Sequence, residues 1–123
     1  MDTPTTTMER AAASPAPLID RAHLAHVTFG DRQLEIEVLE LFERQSVLLM
    51  ARMCVSAPSA VAGLAHTLKG SAASIGAGTV VRAAEAAELA SARGAGECDL
   101  AVRQLGASVD EVRAAIRELT RTP

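Results

Sequence analysis

The chain is predicted to be all-α, an antiparallel up-down four-helix bundle with a short extra N-terminal helix. Three observations lead there. Hydrophobic residues make up 49% of the 123 residues but aromatic ones only 2%, with alanine and leucine dominant, a balance that favours helix over sheet. Apolar residues recur at steps of three and four through four long segments. Short breaks containing Gly or Pro separate those segments, so successive helices become antiparallel neighbours. A chain of this length holds one domain. Residues 1–17, rich in Thr, Ala and Pro, are expected to be a flexible tail with a transient helical turn over Met8 to Ala13. Residues 18–121 are expected to be the bundle.

Asp20 is the expected N-cap of the short first helix, and Ile19 and Leu24 have the spacing of a hydrophobic staple around it. This helix should reach about Val27. Its His23 and His26 lack a third ligand and read as solvated or partly packed. Phe29-Gly30-Asp31 breaks the chain and caps a helix from about Arg32 to Met53. Leu34, Val38, Leu41, Phe42, Leu48 and Leu49 are its expected apolar face, with Gln45 within or beside it and Met50 and Met53 as core fillers. Ser56-Ala57-Pro58-Ser59 ends that pattern, and Pro58 suits a first helical position. The next helix should run to about Ile75 and stop at Gly76-Ala77-Gly78, where glycine adopts the left-handed conformation readily. Thr79 is the expected cap of a helix reaching about Arg93. Val80, Ala83, Ala84, Ala87 and Ser91 form its narrow seam, and Arg82 and Glu85 face water. After Gly94-Ala95-Gly96, the last helix should run from about Asp99 to Arg121. Cys98, Val102, Leu105, Val109, Val112, Ile116 and Leu119 alternate steps of four and three along it, a stripe suited to shallow crossing angles. Gly106 interrupts this helix with no reason visible in the sequence.

The charge pattern narrows the function. The formal net charge is −3 and no long basic run exists, which argues against nucleic acid as a partner. No apolar stretch approaches the roughly 18–20 residues of a membrane span, and no basic segment followed by an apolar core marks a secretory signal. The chain is therefore expected in the cytoplasm, and its alanine- and arginine-rich usage points to a bacterial source. Cys54 and Cys98 form no C-x-x-C and no metal-ligand spacing, and read as free thiols packed as small hydrophobes. No metal set, acid pair or Ser/Cys nucleophile motif suggests an enzyme in its own right.

The informative stretch is His66-Thr67-Leu68-Lys69-Gly70-Ser71. The apolar positions Val61, Leu64, Ala65, Leu68, Ala72 and Ile75 define a buried face. At about 100° per residue His66 points roughly 140° away from its centre, toward solvent, with Lys69 and Gly70 on the same side. A lone exposed histidine on a helix usually does nothing. Here, however, Gly63 and Gly70 stand one turn before and one turn after it, although glycine costs about 1 kcal/mol against alanine in a helix interior. Ala62 and Ala73 complete a floor of small side chains over which another protein can approach closely. An imidazole can act as a nucleophile and carry a group covalently, and if that group were phosphoryl, Lys69 would offset its charge. Ser71 is either a small helix residue or a hydrogen-bonding group at a docking surface. Gln45 is either a helix-edge amide or a group near His66 or that surface.

His66-Thr67-Leu68-Lys69-Gly70-Ser71, with Gly76 ten residues after the histidine, resembles the core signature of the histidine-containing phosphotransfer (HPt) domain, whose pattern is H-x-L-K-G-S. The family also places an acidic residue on the following helix, and Glu88 fits that position. Ala83, Ala84 and Ala87 stand where the family often has larger side chains or cysteine. The resemblance covers about Asp20 to Leu119 and implies a four-helix bundle. It implies that His66 accepts a phosphoryl group, on Nε2, from an aspartate of one receiver domain and passes it to an aspartate of another. The expected partners are the receiver of a hybrid histidine kinase and a response regulator. It further implies a monomeric carrier without kinase activity and no cofactor on this chain, the Mg²⁺ being held by the receiver. Lys69 would compensate phosphoryl charge and Gly70 would keep the approach open, with Ala62, Gly63, Ala73, Ser74, Gln45 and Ser71 as the expected partner-binding residues. Two other readings stand beside it. One is a non-catalytic helical adaptor that binds receivers. The other is the dimerisation hairpin of a sensor kinase, in which an acidic residue typically follows the histidine where this chain has Thr67.

Overall fold

A computed structural model of the chain describes residues 17–121. The expected tail lies outside the described residues except for Pro17, and so does the helical turn expected at Met8 to Ala13. Five helices follow in order: α1 (Arg21–Val27), α2 (Arg32–Cys54), α3 (Pro58–Ser74), α4 (Gly78–Ala90) and α5 (Ala95–Arg121). The last four form the bundle. Each packs on its neighbour in sequence, and α2 closes the ring against α5.

The starts of α1 and α2 form as the sequence directs. The Asp20 carboxylate accepts from the His23 backbone N–H at 3.1 Å, and Asp31 accepts from Leu34 at the same distance. Ile19 and Leu24 are both buried, which anchors the entry of α1. Between the helices, Phe29 (φ 56°) and Gly30 (φ 73°) turn the chain in the left-handed region. Pro58 opens α3, where its missing N–H leaves nothing unpaired. Gly76 (φ 73°) ends it, and the requirement for glycine there is also steric. The Asp20 N–H donates to the Gly76 carbonyl at 3.0 Å, and a Cβ on residue 76 would lie 2.8 Å from the Asp20 Cβ.

Three helices differ from expectation. The buried face of α2 is Leu39, Phe42, Ser46, Leu49 and Met53, while Leu41 is 55% and Leu48 65% exposed. Apolar residues lie almost all round this helix, so their spacing alone leaves its rotation open. Burial of Ser46 is tolerated because its hydroxyl donates to the Glu43 carbonyl at 2.9 Å. Next, α4 begins at Gly78 with Ala77 as its cap, so Thr79 lies inside the first turn and caps nothing. The same helix ends at Ala90 rather than Arg93, with Gly94 (φ 113°) turning the chain. Finally, α5 starts at Ala95, because Gly96 is absorbed into the first turn instead of stopping it. Cys98 is buried at the head of the α5 stripe as expected, whereas Cys54 is exposed at the end of α2. Gly106 lies near Met50, but a Cβ there would make an ordinary 3.5 Å contact, so nothing in the packing demands glycine.

The core between α3 and α4 is made of small residues. Ala65 and Ala72 on α3 and Ala84 and Ala87 on α4 are all fully buried, and the two helices pack extensively on each other. Alanines at a helix contact bring the two backbones close together, toward the short end of the usual ~8–10 Å interaxial range. That closeness lets a side chain on α4 reach across to the exposed face of α3. The far side is held by Glu43 on α2, which pairs with Arg117 (3.2 Å) and Arg113 (3.6 Å) on α5, and by Arg32, which donates to the Leu119 carbonyl.

Candidate functional site

His66 stands on the outer face of α3 with its side chain 70% exposed. The 3.6-residue period that buries Val61, Ala65, Leu68 and Ala72 leaves His66, Gly63, Gly70 and Ala73 on the opposite side. Nothing lies within 4 Å of a Cβ built on Gly63 or Gly70. Neither glycine is therefore required by the packing of this chain, and together they leave bare helix surface on both sides of the imidazole.

One carboxylate organises the charges. Glu88, one turn from the seam alanine Ala84 on α4, places Oε1 3.2 Å from His66 Nδ1 and Oε2 2.9 Å from Lys69 Nζ. Glu85 lies 4.0 Å from the same ammonium. Both Lys69 and Glu88 are about three-quarters buried, so this pair is screened less than one at the open surface. The Lys69 ammonium, and after it the His66 imidazole, hold the Glu88 carboxyl below the ordinary glutamate value, against an opposing push from its partial burial. Glu88 is therefore ionised at neutral pH and accepts. The hydrogen bond then selects the imidazole tautomer with the proton on Nδ1 and leaves the lone pair of Nε2 facing solvent.

The other expected site residues fall into two groups. Gly63, Ala73 and Ser74 are exposed on the same face as His66, and Ala62 is half-buried beside it. The hydroxyls of Thr67 and Ser74 are turned back onto the Gly63 and Gly70 carbonyls of their own helix. Gln45 does not reach the imidazole. Its Oε1 accepts from the Ser71 hydroxyl at 2.8 Å, a bond that pins α2 to α3 at the edge of the face. Exposed apolar side chains also stand on the neighbouring helices. Leu41 and Leu48 stand on α2, Leu89 follows Glu88 on α4, and a shallow hollow beside the histidine is lined by Arg52, Val55, Gly63, Leu64 and Thr67. Periodicity places Leu41 and Leu48 on the buried face, and only the observed rotation of α2 shows them exposed. The role of Glu85 beside Lys69 was equally hidden, since an acid facing water on one helix says nothing of the cation opposite it. Among the described residues no three His, Cys, Asp or Glu gather as a metal site, and no helix is long and apolar enough to cross a membrane.

The family model for the Hpt domain matches residues 33–119, most of the chain. The chain belongs to the Hpt domain family. No curated protein and no solved structure matches it. Membership gives this Hpt domain a phosphotransfer-related role in phosphorelays, where such domains act with receiver domains as phosphocarriers rather than as kinases. The matched span includes all of α3 and α4, and with them His66, Lys69, Gly70 and Glu88.

Proposed function

We propose that this Hpt domain carries a phosphoryl group on Nε2 of His66 between aspartates of two receiver domains, that of a hybrid histidine kinase and that of a response regulator. The observation that carries the reading is the hydrogen bond between Nδ1 and Glu88 on an imidazole that is 70% exposed and flanked by two glycines with open space beside them. In the forward step the Nε2 lone pair attacks the phosphorus of an aspartyl phosphate. The N–P bond forms, the P–O bond breaks, and the receiver's aspartate leaves as a carboxylate. The proton stays on Nδ1, the ring becomes cationic, and the Glu88 carboxylate offsets that charge. Lys69, one turn along the helix, supplies a cation on the same face for the phosphoryl oxygens. The reverse sequence returns the group to a second aspartate.

On this reading the chain positions the nucleophile and admits the partner, and Mg²⁺ is held by the receiver. The chain acts as a monomer in the cytoplasm, where its receivers are. Closure of four helices around one core within a single chain disfavours the sensor-kinase hairpin, whose helices need a second copy to complete their bundle. The test is transfer from a panel of receiver domains charged with acetyl phosphate. Acid-labile label is expected on the wild type and not on His66→Gln, with melting temperatures close together because the side chain is mostly exposed. Receiver binding that survives His66→Gln, with no label on the wild type, would make the chain an adaptor instead.

A further inference from the structure

We propose that Phe29 is an anchor for the receiver domain, presented by the α1–α2 turn as the outer rim of the face that carries His66. The proposal rests on the phosphocarrier reading and adds a recognition residue to it. Phe29 is 91% exposed, and it is the one non-glycine residue with positive φ among the described residues. Both properties work against the isolated chain, since an aromatic ring is left in water and an L residue is held in the left-handed region. Its backbone is nevertheless fixed. The Phe29, Gly30 and Asp31 N–H groups donate to the carbonyls of His26, Ala25 and Thr28, and the buried Thr28 hydroxyl donates to Leu24 at 2.7 Å. A hydrogen-bonded turn that holds a large apolar side chain in solvent is a poor device for folding and a good one for binding, where aromatic side chains carry a large share of the affinity.

Position names the occupant. A groove between α1, α2 and α3 runs from Val27 and Thr28 past Val38 to Ala73 and Ser74. Ala73 and Ser74 continue the outward stripe of His66 and Gly70, and Ser74 lies eight residues on, about 12 Å along the helix. A partner of ordinary interface size covers about 800 Å² on this chain, a disc of roughly 16 Å radius. A receiver centred on His66 therefore spans the groove and meets the turn next to it. Phe29 would enter an apolar recess of that receiver some distance from the transferred phosphorus, and so would govern affinity and choice of partner without touching the chemistry.

The test measures the rate of label transfer against receiver concentration, with the acetyl-phosphate-charged receiver that labels the wild type fastest. Phe29→Gly removes the ring and suits the left-handed backbone, so the fold is kept. It should raise the half-saturating receiver concentration on the order of tenfold, with maximal rate and melting temperature not reduced, and Phe29→Leu should recover most of the loss. An unchanged half-saturating concentration would overturn the proposal. So would a lowered maximal rate at unchanged half-saturation, or a fall in melting temperature, which would make Phe29 a structural residue. Self-association of the wild type that Phe29→Gly abolishes would assign the site to a second copy of this chain and would equally overturn it. A wild type that no receiver labels is a separate result: it removes the carrier reading and this inference with it.

Discussion

Glycine at position 70 sets stability against access, and the two can be measured on the same samples. Gly70 sits inside α3 with nothing within 4 Å of where its Cβ would be. A helix-interior glycine costs about 1 kcal/mol relative to alanine. With no neighbour to clash, Gly70→Ala should recover roughly that amount, which for a domain of this size raises the melting temperature by about 4 °C. Gly70→Leu should be at least as stable as the wild type, since leucine is also a good helix former. Transfer should move the other way. In-line attack needs the phosphorus within about 3–3.5 Å of Nε2, and a misplacement of about 1 Å can cost on the order of 100-fold in rate. A leucine one turn from His66 stands in the partner's path, so Gly70→Leu should lose at least about 100-fold in transfer, with Gly70→Ala in between. Thermal melts and transfer assays on one preparation decide the matter. A leucine variant that is more stable and transfers at the wild-type rate would refute the access argument. One that melts earlier would show that the open space around Gly70 is occupied.

Two further outcomes test the geometry. Lys69→Ala removes the largest cause of the lowered Glu88 value, so the carboxyl should titrate higher than in the wild type, followed by carbon NMR of the side-chain carboxyl. Because pairing holds the native carboxyl below its unfolded value, its contribution to stability is complete above the ordinary glutamate range and is lost as pH falls through the native value. The stability gap between wild type and Lys69→Ala should therefore narrow in acid, and a gap that widens there would refute the pairing. Gly76→Ala forces φ 73° on an L residue and brings its Cβ to 2.8 Å from that of Asp20. It should cost about 2 kcal/mol or more in urea unfolding, and a loss within error would show that the segment before α1 yields freely.

Much of this could be read from the chain because the relevant signals are local. A cap reaches three residues, so Asp20 and Asp31 announce themselves. One face of α5 carries nearly all its apolar residues, so its stripe has one reading, and Gly76 marks a stop that other residues make only at a cost. The exposure of His66 follows from the same arithmetic, because α3 has a single clean apolar face. That arithmetic fails for α2, whose leucines and valines surround the helix, and which of them are buried is settled by neighbours that the spacing does not encode. Thr79 misled for a different reason. Threonine is a good cap, but Gly76 turns the chain so sharply that the helix has begun before residue 79. The pairing of Glu88 with His66 and Lys69 depends on how closely α3 and α4 approach. Resemblance to the family singled out Glu88, but periodicity within α4 alone would not have done so.

The groups proposed to act on the phosphoryl, His66, Lys69, Gly70 and Glu88, all belong to the hairpin of α3 and α4, whose turn is three residues long. The largest separation among them in sequence is 22 residues. Contacts so near in the chain close at little entropic expense and form early relative to those that join α2 to α5. The exposed apolar side chains Phe29, Leu41 and Leu48 lie elsewhere, on α2 and the turn before it. Mutation can therefore alter Phe29, Leu41 or Leu48 without disturbing the nucleophile, and a duplicated copy of such a domain can acquire a new receiver while its chemistry is inherited intact.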